Sequence, residues 1–408
     1  MLLACFVAAL MGAAPADAFE VRRAINIAQW FVWPKYEAPP SHRISWPPYR
    51  FTPSPPSQDE LRALRAAGFD TVRLPVDYAP FKVFSGERRE AVYEMLFDAM
   101  RRIHAAGLNV IVDLHPNSRH VAWGQHAVVA GLDAPAFVAL GDVAADMAGR
   151  LKAFGSDRVA LELVNEPRLK CRGDDRTLWQ KMMKVLVDRA RAANPKLALV
   201  VTGSCLSTPE GLMTLDPRAL GDANLIYTFH FYEPFTFTHQ GAQFIPWPDK
   251  YLDEVPWPAG ARPIEEPLQK LAVRMDAIDG LDAAARAKAE AGARHNLRKF
   301  YASRAGRSTI ERKFSQVAEW ARGHGVAKER IFVGEFGALR KEGKMPGARC
   351  EDRTAWLGHV REAAEKEKFG WAYFSYDGPF AIILDEKSRK LDPAVVASLG
   401  LSDGAPCG

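Results

Sequence analysis

The chain has 408 residues, of which 48% are hydrophobic and 25% are charged, and these proportions exclude a mostly disordered protein. The 54 Lys and Arg residues are interspersed with 49 Asp and Glu residues, which leaves a formal net charge of +5. Because no segment concentrates the positive charge, the composition argues against a nucleic-acid-binding protein.

The N-terminal residues have the pattern of an export signal. An apolar run from Leu2 to Met11 is followed by small residues that end in Ala16-Asp17-Ala18, which is a typical cleavage site. We therefore predict a signal peptide over residues 1–18, cleavage after Ala18, and a secreted or periplasmic protein. The alternative is an N-terminal helix that packs against the rest of the protein. No later segment has 18 consecutive apolar residues, so we expect no contact with a membrane through a spanning helix.

The cysteines would meet oxidising conditions after export. Cleavage removes Cys5 and leaves four, which are Cys171, Cys205, Cys350 and Cys407. Four cysteines permit two disulfide bonds in three possible pairings. We favour Cys171 with Cys205, because both lie close after predicted strands, and Cys350 would then pair with Cys407. No C-x-x-C pair or His/Cys cluster indicates a metal, so we predict no metal site.

Eight short apolar runs recur along the chain, and the segments between them have helical periodicity. Each run has six to nine residues and suits a strand buried on both faces of a parallel sheet. The runs cover residues 24–30, 71–76, 109–115, 159–166, 197–203, 224–232, 330–337 and 370–377. This alternation predicts an α/β fold of the (β/α)8 TIM barrel class. A doubly wound open sheet is the alternative, but no Gly-rich phosphate loop follows the first run.

The helical segments are clearest where apolar residues recur on one face, as at Val92, Leu96, Ala99 and Ile103. The interval between the sixth and seventh runs is unusually long.

Residues 233–309 exceed the length of a bare loop in a compact domain, and strong helix formers fill residues 282–300. We predict a long insertion after strand 6 that is partly helical, on the side of the barrel where the loops after the strands lie. The whole of residues 19–408 would form a single domain, with residues 39–57 as a proline-rich loop.

Polar and aromatic side chains stand at the ends of most predicted strands. In a TIM barrel these ends converge on one rim, which is where active sites form. The residues are Arg73, His115, Asn165, Glu166, His230, Tyr232, Glu335, Phe374 and Tyr376. Packing alone does not explain polar groups at so many strand ends, so we predict a functional site at this rim.

Two of these residues, Glu166 and Glu335, are carboxylates that can face each other across the end of the barrel. Glycoside hydrolysis requires such a pair, with one carboxyl group to protonate the leaving oxygen and the other to attack the anomeric carbon. A nearby guanidinium such as Arg73 would keep Glu335 ionised, whereas Glu166 would have to retain its proton. Asn165 can donate to a sugar 2-hydroxyl group.

This set of residues, in this order on these strands, resembles the pattern of glycoside hydrolase family 5, a large family of cellulases and related enzymes. The resemblance covers about residues 24 to 377. It implies that Glu166 is the acid/base and Glu335 the nucleophile of a retaining double displacement, and it implies no cofactor. It further implies supporting roles around the sugar at the −1 position for Arg73, Tyr232, His115, Asn165 and His230.

Aromatic residues extend the prediction towards substrate binding. The resemblance implies an aromatic platform on the eighth strand, and either Phe374 or Trp371 matches it. The segment 232–242 resembles a loop of endoglucanase-type members and would bring His239 near the cleft. Trp33, after the first strand, is a further candidate for sugar contact. In the insertion, Trp247, Tyr251 and Trp257 either contact sugar or pack the insertion onto the barrel.

We therefore predict a secreted retaining β-glycanase, most simply an endo-β-1,4-glucanase (cellulase) that acts on β-glucan as a monomer. A β-1,3-glucanase or β-mannanase would use the same catalytic set. A glycan-binding barrel without activity is a third possibility, but such a protein would need neither Glu166 nor Glu335. An aldolase or phosphate-sugar isomerase would need a lysine nucleophile or a phosphate loop, and neither is visible at the strand ends.

Overall fold

The structure is a computed structural model that describes residues 19–407, apart from 39, 40, 42, 50, 52, 53, 118–120, 279, 344 and 403. The predicted signal peptide, residues 1–18, lies outside the described residues. Among the helices of the described ranges, none is both long enough and apolar enough to cross a bilayer.

The described residues contain eight parallel strands that close into a barrel, each paired with the next and the last paired with the first. This arrangement confirms the predicted TIM barrel. The strands are β1 (Arg23–Asn26), β2 (Thr71–Val76), β3 (Asn109–Leu114), β4 (Val159–Glu162), β5 (Ala198–Thr202), β6 (Leu225–Phe231), β7 (Ile331–Phe336) and β8 (Gly370–Tyr373). Because β4 ends at Glu162, Asn165 and Glu166 lie in the loop beyond it and not on the strand.

The helices surround the barrel. Their bounds are α1 (Gln58–Ala67), α2 (Ala79–Val83), α3 (Gly86–Ala105), α4 (Gln125–Val128), α5 (Pro135–Arg150), α6 (Asp174–Ala193), α7 (Ser204–Ser207), α8 (Pro209–Leu212), α9 (Pro217–Leu220), α10 (Phe235–Thr238), α11 (Glu265–Asp276), α12 (Ala283–Ser303), α13 (Arg307–His324), α14 (Cys350–Lys366) and α15 (Pro393–Ser398). Single 3₁₀ turns cover Leu151–Phe154, Pro248–Tyr251 and Lys328–Arg330. The apolar face predicted for α3 is confirmed, since Val92, Leu96, Ala99 and Ile103 are all buried.

The barrel interior is apolar at one end and polar at the other. Alternate strand residues point to opposite faces of a sheet. One set of alternate residues points into the barrel, and its small and aliphatic members form a separate core cluster with Phe332. These members are Ala24, Ile111, Ala160, Ala198, Val200, Ile226 and Ala372. Asn26, Asp113 and Glu162 lie two residues further along β1, β3 and β4, point to the same side of the sheet and are buried. Polar groups therefore fill the carboxyl-terminal end of the barrel, where the site lies.

The chain between β6 and α13 contains α10, the 3₁₀ turn at Pro248–Tyr251, α11 and α12. Asn296 of α12 donates to Asp249 at 2.8 Å. Glu254 accepts a hydrogen bond from Arg349 Nε at 2.7 Å and is also paired with Lys341. Because Lys341 and Arg349 follow β7, these contacts hold the segment against a loop at the carboxyl-terminal end of the barrel.

Two disulfide bonds join Cys171 to Cys205 and Cys350 to Cys407. The favoured pairing is confirmed. The first bond links the loop after Glu166 to the segment that follows β5, and the second links α14 to the C-terminal segment.

Candidate active site

The structure brings Glu166 and Glu335 together at the carboxyl-terminal end of the barrel. One carboxylate oxygen from each and a ring nitrogen of His230 all lie within 4.8 Å of one another. The His230 Nδ1 atom is 2.9 Å from Glu166 Oε1 and 3.6 Å from Glu335 Oε2. The Glu166 side chain is 26% exposed and that of Glu335 is 6% exposed, so a substrate can reach Glu166 more easily.

A β-bulge determines the direction of Glu335. Phe332 points into the barrel, and strict alternation would turn Glu335 outward, towards the helices. The pairing of β6 with β7 shifts between Phe229 and His230, however, so that His230 faces Glu335 and Gly334 is skipped. A Cβ atom on Gly334 would lie 2.5 Å from the Thr228 hydroxyl oxygen. Glycine is therefore required at the bulge that turns Glu335 towards the cleft.

Arg73 is the centre of the charge network around Glu335. Its guanidinium is fully buried and donates from Nη1 to Glu335 Oε1 at 2.8 Å. Its Nε and Nη2 atoms donate to the two oxygens of Glu162 at 2.7 and 2.8 Å. Such a two-point bond fixes the plane of a guanidinium, so Glu162 orients Arg73 towards Glu335. The second Glu335 oxygen accepts from the Tyr232 hydroxyl group at 2.9 Å.

The environment of Glu166 favours its protonated form. Burial raises the pKa of the Glu166 carboxyl group above its ordinary value, although the positive charges of His115 and Arg73 oppose the shift. Burial also lowers the pKa of His230 to about 4, so the imidazole that contacts Glu166 is neutral near pH 7. Glu166 has a backbone φ of 43°, a left-handed conformation that is costly for a residue with a side chain and is found most often at functional sites.

His115 and Asn165 complete the wall of the site. His115 Nδ1 lies 2.8 Å from Asp113 Oδ2, and its Nε2 lies 3.2 Å from Asn165 Nδ2. Asn165 Oδ1 accepts from Arg73 Nη2 at 2.9 Å. Burial opposes ionisation of Asp113, but Arg73 and His115 outweigh it and hold the pKa of Asp113 below its ordinary value. The Asn165 amide is thus held by contacts on both of its polar atoms.

Three residues of this network were absent from the sequence prediction. Asn26, Asp113 and Glu162 lie inside the predicted apolar runs and at or next to the last residue of the observed strands, and all three are buried. Asp113 contacts Arg73 Nη2 at 3.0 Å, and Asn26 Oδ1 accepts from Arg73 Nη1 at 2.9 Å. Burial raises the pKa of Glu162 to about 7. The sequence signal that could have revealed these three residues is a polar residue within an apolar run, close to a predicted strand end.

The aromatic candidates divide into those near the site and one that is excluded from it. Phe374 is partly exposed, and its ring lies 6.5 Å from that of Tyr232, so Phe374 borders the site. The prediction of Trp371 as the alternative platform is wrong. Trp371 is fully buried, its ring lies 5.9 Å from Phe336, and its Nε1 donates to Glu365 of α14. Its alternation on β8 points it towards the helices.

His239 follows β6 in the chain, whereas Trp33 follows β1. His239 is buried, with its ring 5.2 Å from that of Tyr232, and burial lowers its pKa to about 4. Trp33 is 41% exposed and lines a cavity of about 390 Å³ with other rings that include Trp30, Tyr49 and Phe51. Of the insertion's rings, Trp257 is buried and Trp247 is 44% exposed.

The cluster of Glu166, His230 and Glu335 also has the spacing of a metal site. Both Glu335 oxygens already accept hydrogen bonds, one of them from the Arg73 guanidinium. A fixed positive charge at that distance disfavours a cation in the same place. The Arg73 guanidinium therefore makes this cluster a poor site for a metal ion.

A TIM barrel with a paired acid and carboxylate at this end defines a candidate glycoside hydrolase. The family model described as cellulase, glycosyl hydrolase family 5, matches residues 29–378. The chain therefore belongs to glycosyl hydrolase family 5.

Among curated relatives, the chain is 27% identical over 215 residues to endoglucanase C of Acetivibrio thermocellus, which covers 52% of this chain and 60% of the relative. It is 23% identical over 227 residues to endoglucanase 3 of Fibrobacter succinogenes, covering 55% and 30%. The match thus spans less than two thirds of either relative. The crystal structure of the cellulose synthase subunit Z of Clostridioides difficile is similar in fold, with a TM-score of 0.66, 22% identity, and coverage of 93% of this chain and 99% of that one.

Proposed function

We propose that this protein hydrolyses β-linked glucan by a retaining double displacement, with Glu335 as the nucleophile and Glu166 as the acid/base. The observation that carries the proposal is the approach of the two carboxylates to within 4.8 Å of each other. Inverting enzymes keep the two groups about 6.5–9.5 Å apart to hold a water molecule between them, whereas retaining enzymes need about 5–5.5 Å.

In the first step, a Glu335 oxygen attacks the anomeric carbon while Glu166 gives its proton to the departing glycosidic oxygen. This step forms a glycosyl ester on Glu335 and breaks the glycosidic bond. In the second step, Glu166, now a carboxylate, takes a proton from water, and the resulting hydroxide attacks the anomeric carbon. The ester bond breaks, Glu335 is released as a carboxylate, and Glu166 is again protonated.

The surrounding residues support these assignments. Arg73 and Tyr232 donate to the two Glu335 oxygens, which holds this carboxyl group in one orientation for the attack. Burial raises the pKa of Glu166, which favours the protonated form that donates. We further propose that Asn165 donates to the sugar 2-hydroxyl group, and that His115, His230 and Phe374 contact the same sugar.

We propose an endo-β-1,4-glucanase as the specific activity, because both curated relatives reported above are named endoglucanases. A β-1,3-glucanase or β-mannanase would use the same carboxylates. The test is to assay wild-type protein on carboxymethyl-cellulose, β-1,3-glucan, mixed-linkage glucan and mannan. Highest activity on carboxymethyl-cellulose supports the proposal, and binding without activity on any polymer would favour the glycan-binding alternative.

The mechanism has its own test. Proton NMR of the first product should show retention of the β configuration, and inversion would contradict the mechanism. Glu335→Gln should lower kcat by at least about a thousandfold on every active substrate. Glu94→Gln is a matched control, since the Glu94 side chain is 66% exposed and should keep wild-type activity.

We also propose that the protein is exported, with cleavage after Ala18, and acts as a monomer on a polysaccharide. The two disulfide bonds support an oxidising compartment. N-terminal sequencing of protein recovered from the culture medium or periplasm tests the cleavage, and a protein that begins at Met1 in that fraction would contradict it.

A further inference from the structure

The side chains of Arg73, Asp113, His115 and Asn165 form a closed cycle of contacts. Arg73 Nη2 donates to Asn165 Oδ1 at 2.9 Å and lies 3.0 Å from Asp113 Oδ2. The same Asp113 oxygen is 2.8 Å from His115 Nδ1. His115 Nε2 is 3.2 Å from Asn165 Nδ2, which closes the cycle. We call these four residues the four-residue cycle, because each of them limits the orientation of the next.

The backbone brings these side chains together. Asp113 and His115 are two residues apart in the chain, so they point to the same side of the sheet. The His115 amide donates to the Val76 carbonyl at 2.8 Å, and the Asn165 amide donates to the Leu114 carbonyl at 2.9 Å. These two bonds join the end of β3 to the end of β2 and to the loop after β4. The cycle is therefore built on backbone that hydrogen bonds hold in place.

The orientation of the Asn165 amide follows from the donors around it. A guanidinium group only donates hydrogen bonds, so the Asn165 atom that faces Arg73 must be its carbonyl oxygen. Arg73 Nη2 has two protons, and its bonds to Glu162 at 2.8 Å and to Asn165 at 2.9 Å use both of them. The Asn165 Nδ2 atom is therefore turned towards His115.

The position of the proton on His115 follows in turn. The Asn165 Nδ2 atom only donates, so His115 Nε2 is the acceptor and carries no proton. The proton of the neutral imidazole then lies on Nδ1 and is donated to Asp113. Burial disfavours a charged His115, but Asp113 outweighs burial and raises the pKa of His115. Because a second proton on Nε2 would point at the Asn165 amide protons, the cycle exists above that pKa.

We propose that Asp113 is a positioning residue that fixes the tautomer of His115 and thereby holds the Asn165 amide with one N–H directed at the substrate. His115 takes one Nδ2 proton, and no other acceptor within the described residues bonds to Nδ2. The second proton can then bond the sugar 2-hydroxyl group, a contact that strengthens in the transition state. This inference rests on the proposed function. Asp113 itself is fully buried, so it acts only through its neighbours.

The test compares Asp113→Ala with wild type on two aryl glycosides. One is 2,4-dinitrophenyl β-cellobioside, and the other lacks the 2-hydroxyl group on the glucosyl unit next to the aryl group. We expect Asp113→Ala to lower kcat/KM on the first substrate about tenfold or more and on the second by less than about twofold. An equal loss on both substrates would overturn the proposal, because a purely structural role does not depend on that hydroxyl group.

Two further variants separate position from charge. Asp113→Asn keeps an oxygen that can accept from His115 Nδ1, so its kcat/KM on the first substrate should be at least about threefold above that of Asp113→Ala. Asp113→Ala should cause no further loss when Asn165→Ala is already present, because the two residues act in series. A loss in Asp113→Asn as large as in Asp113→Ala, or additive losses in the double variant, would contradict the proposal.

Thr202→Val is the matched control for the loss of a buried polar contact. Thr202 is buried on β5 and donates to the Thr228 carbonyl at 3.1 Å, so it lies outside the four-residue cycle. Its substitution should leave the ratio of kcat/KM on the two glycosides as in wild type. Thermal unfolding establishes that each variant is folded.

A measurement on wild-type protein keeps the proposal testable if Asp113→Ala does not fold. In full-length protein with 15N-labelled histidine, NMR distinguishes protonated from unprotonated ring nitrogens, and His115→Gln identifies the signals of residue 115. We expect a protonated Nδ1 and an unprotonated Nε2, and the opposite tautomer would overturn the proposal. If wild-type protein cleaves neither glycoside, the proposed function fails and the tautomer alone decides the cycle. If it cleaves both and Asp113→Ala keeps their ratio, only this inference fails.

Discussion

Arg73 and Glu335 are joined by a hydrogen-bonded ion pair of 2.8 Å between Nη1 and Oε1, and the guanidinium makes this contact while both of its other nitrogens are held by Glu162. The pair links β2 to β7 across the barrel. The position of the proposed nucleophile is therefore determined by a buried guanidinium whose orientation is itself determined by a second carboxylate.

We predict that Arg73→Lys lowers kcat by about a hundredfold or more, with a smaller change in KM. A lysine has the charge but not the planar fork, so it cannot bond both Glu162 oxygens and Glu335 at once. Steady-state kinetics on the polymer and on the aryl cellobioside measure the effect. Arg62→Lys, at a position with a 61% exposed side chain, is the control, and equal activity in the two variants would contradict the role of Arg73.

The second prediction concerns the alkaline limb of the pH–rate profile. Glu166 must be protonated in the first step, and burial raises its pKa, so activity should fall as pH rises through a value above the ordinary glutamate pKa of about 4.3. The Glu166→Gln variant carries an amide that does not titrate, so it shows whether Glu166 or another group in the site causes the alkaline limb.

A dinitrophenyl glycoside has a leaving group that needs no proton, so formation of the ester on Glu335 should remain fast in the Glu166→Gln variant. Its rate should also show no alkaline limb, in contrast to the wild-type rate on the polymer. Stopped-flow measurement of the dinitrophenol burst across the pH range tests both expectations. An alkaline limb that persists in the variant would mean that another group titrates there.

A third prediction concerns stability and Asp77. This residue is 1% exposed, burial raises its pKa to about 7, and among the described residues its Oδ2 atom has no hydrogen-bond partner. Because the folded-state pKa is above the unfolded value of about 3.9, the folded protein binds more protons between these values. The free energy of unfolding contributed by this group therefore falls as pH rises from about 4 to 7.

Asp77→Asn should remove this loss, since the amide can still accept from the Ala79 amide and does not ionise. We expect the variant to match wild type near pH 4 and to be more stable by on the order of 4 kcal/mol at pH 8. Urea unfolding across this pH range measures the difference. Asp133→Asn, at an exposed position, should show no such trend, and a pH-independent difference for Asp77→Asn would contradict the explanation.

The fourth prediction distinguishes the effects of the two disulfide bonds on stability and on kcat. Replacing either cysteine pair by alanine should lower the free energy of unfolding by about 2–4 kcal/mol, because each bond closes a long loop. Only the loss of Cys171–Cys205 should also lower kcat. That bond anchors the segment directly after Glu166, where Pro167 and Leu169 accept backbone hydrogen bonds from residues 206 and 205.

Kinetics and unfolding of the two double variants, compared under the same oxidising conditions, test this difference. The Cys350–Cys407 variant serves as the control for general destabilisation. Equal losses of kcat in the two variants would mean that the first disulfide has no specific effect on Glu166.

The sequence by itself determined the barrel, because eight apolar runs separated by helical periodicity are a local signal that any closed parallel sheet must carry. It also identified Arg73, Asn165, Glu166 and Glu335 as strand-end residues that belong together. It determined neither their distances nor their charge states, since those depend on residues far apart in the chain.

Only the tertiary structure decided which way several side chains point. The bulge at Gly334 turns Glu335 inward, and ordinary alternation turns Trp371 outward against α14, although both belong to apolar runs. The burial of Asp113 and Glu162 around Arg73 likewise required closure of the barrel. Periodicity is a property of one strand, whereas these directions and charges are set by the register between neighbouring strands and by the low-dielectric interior that they enclose.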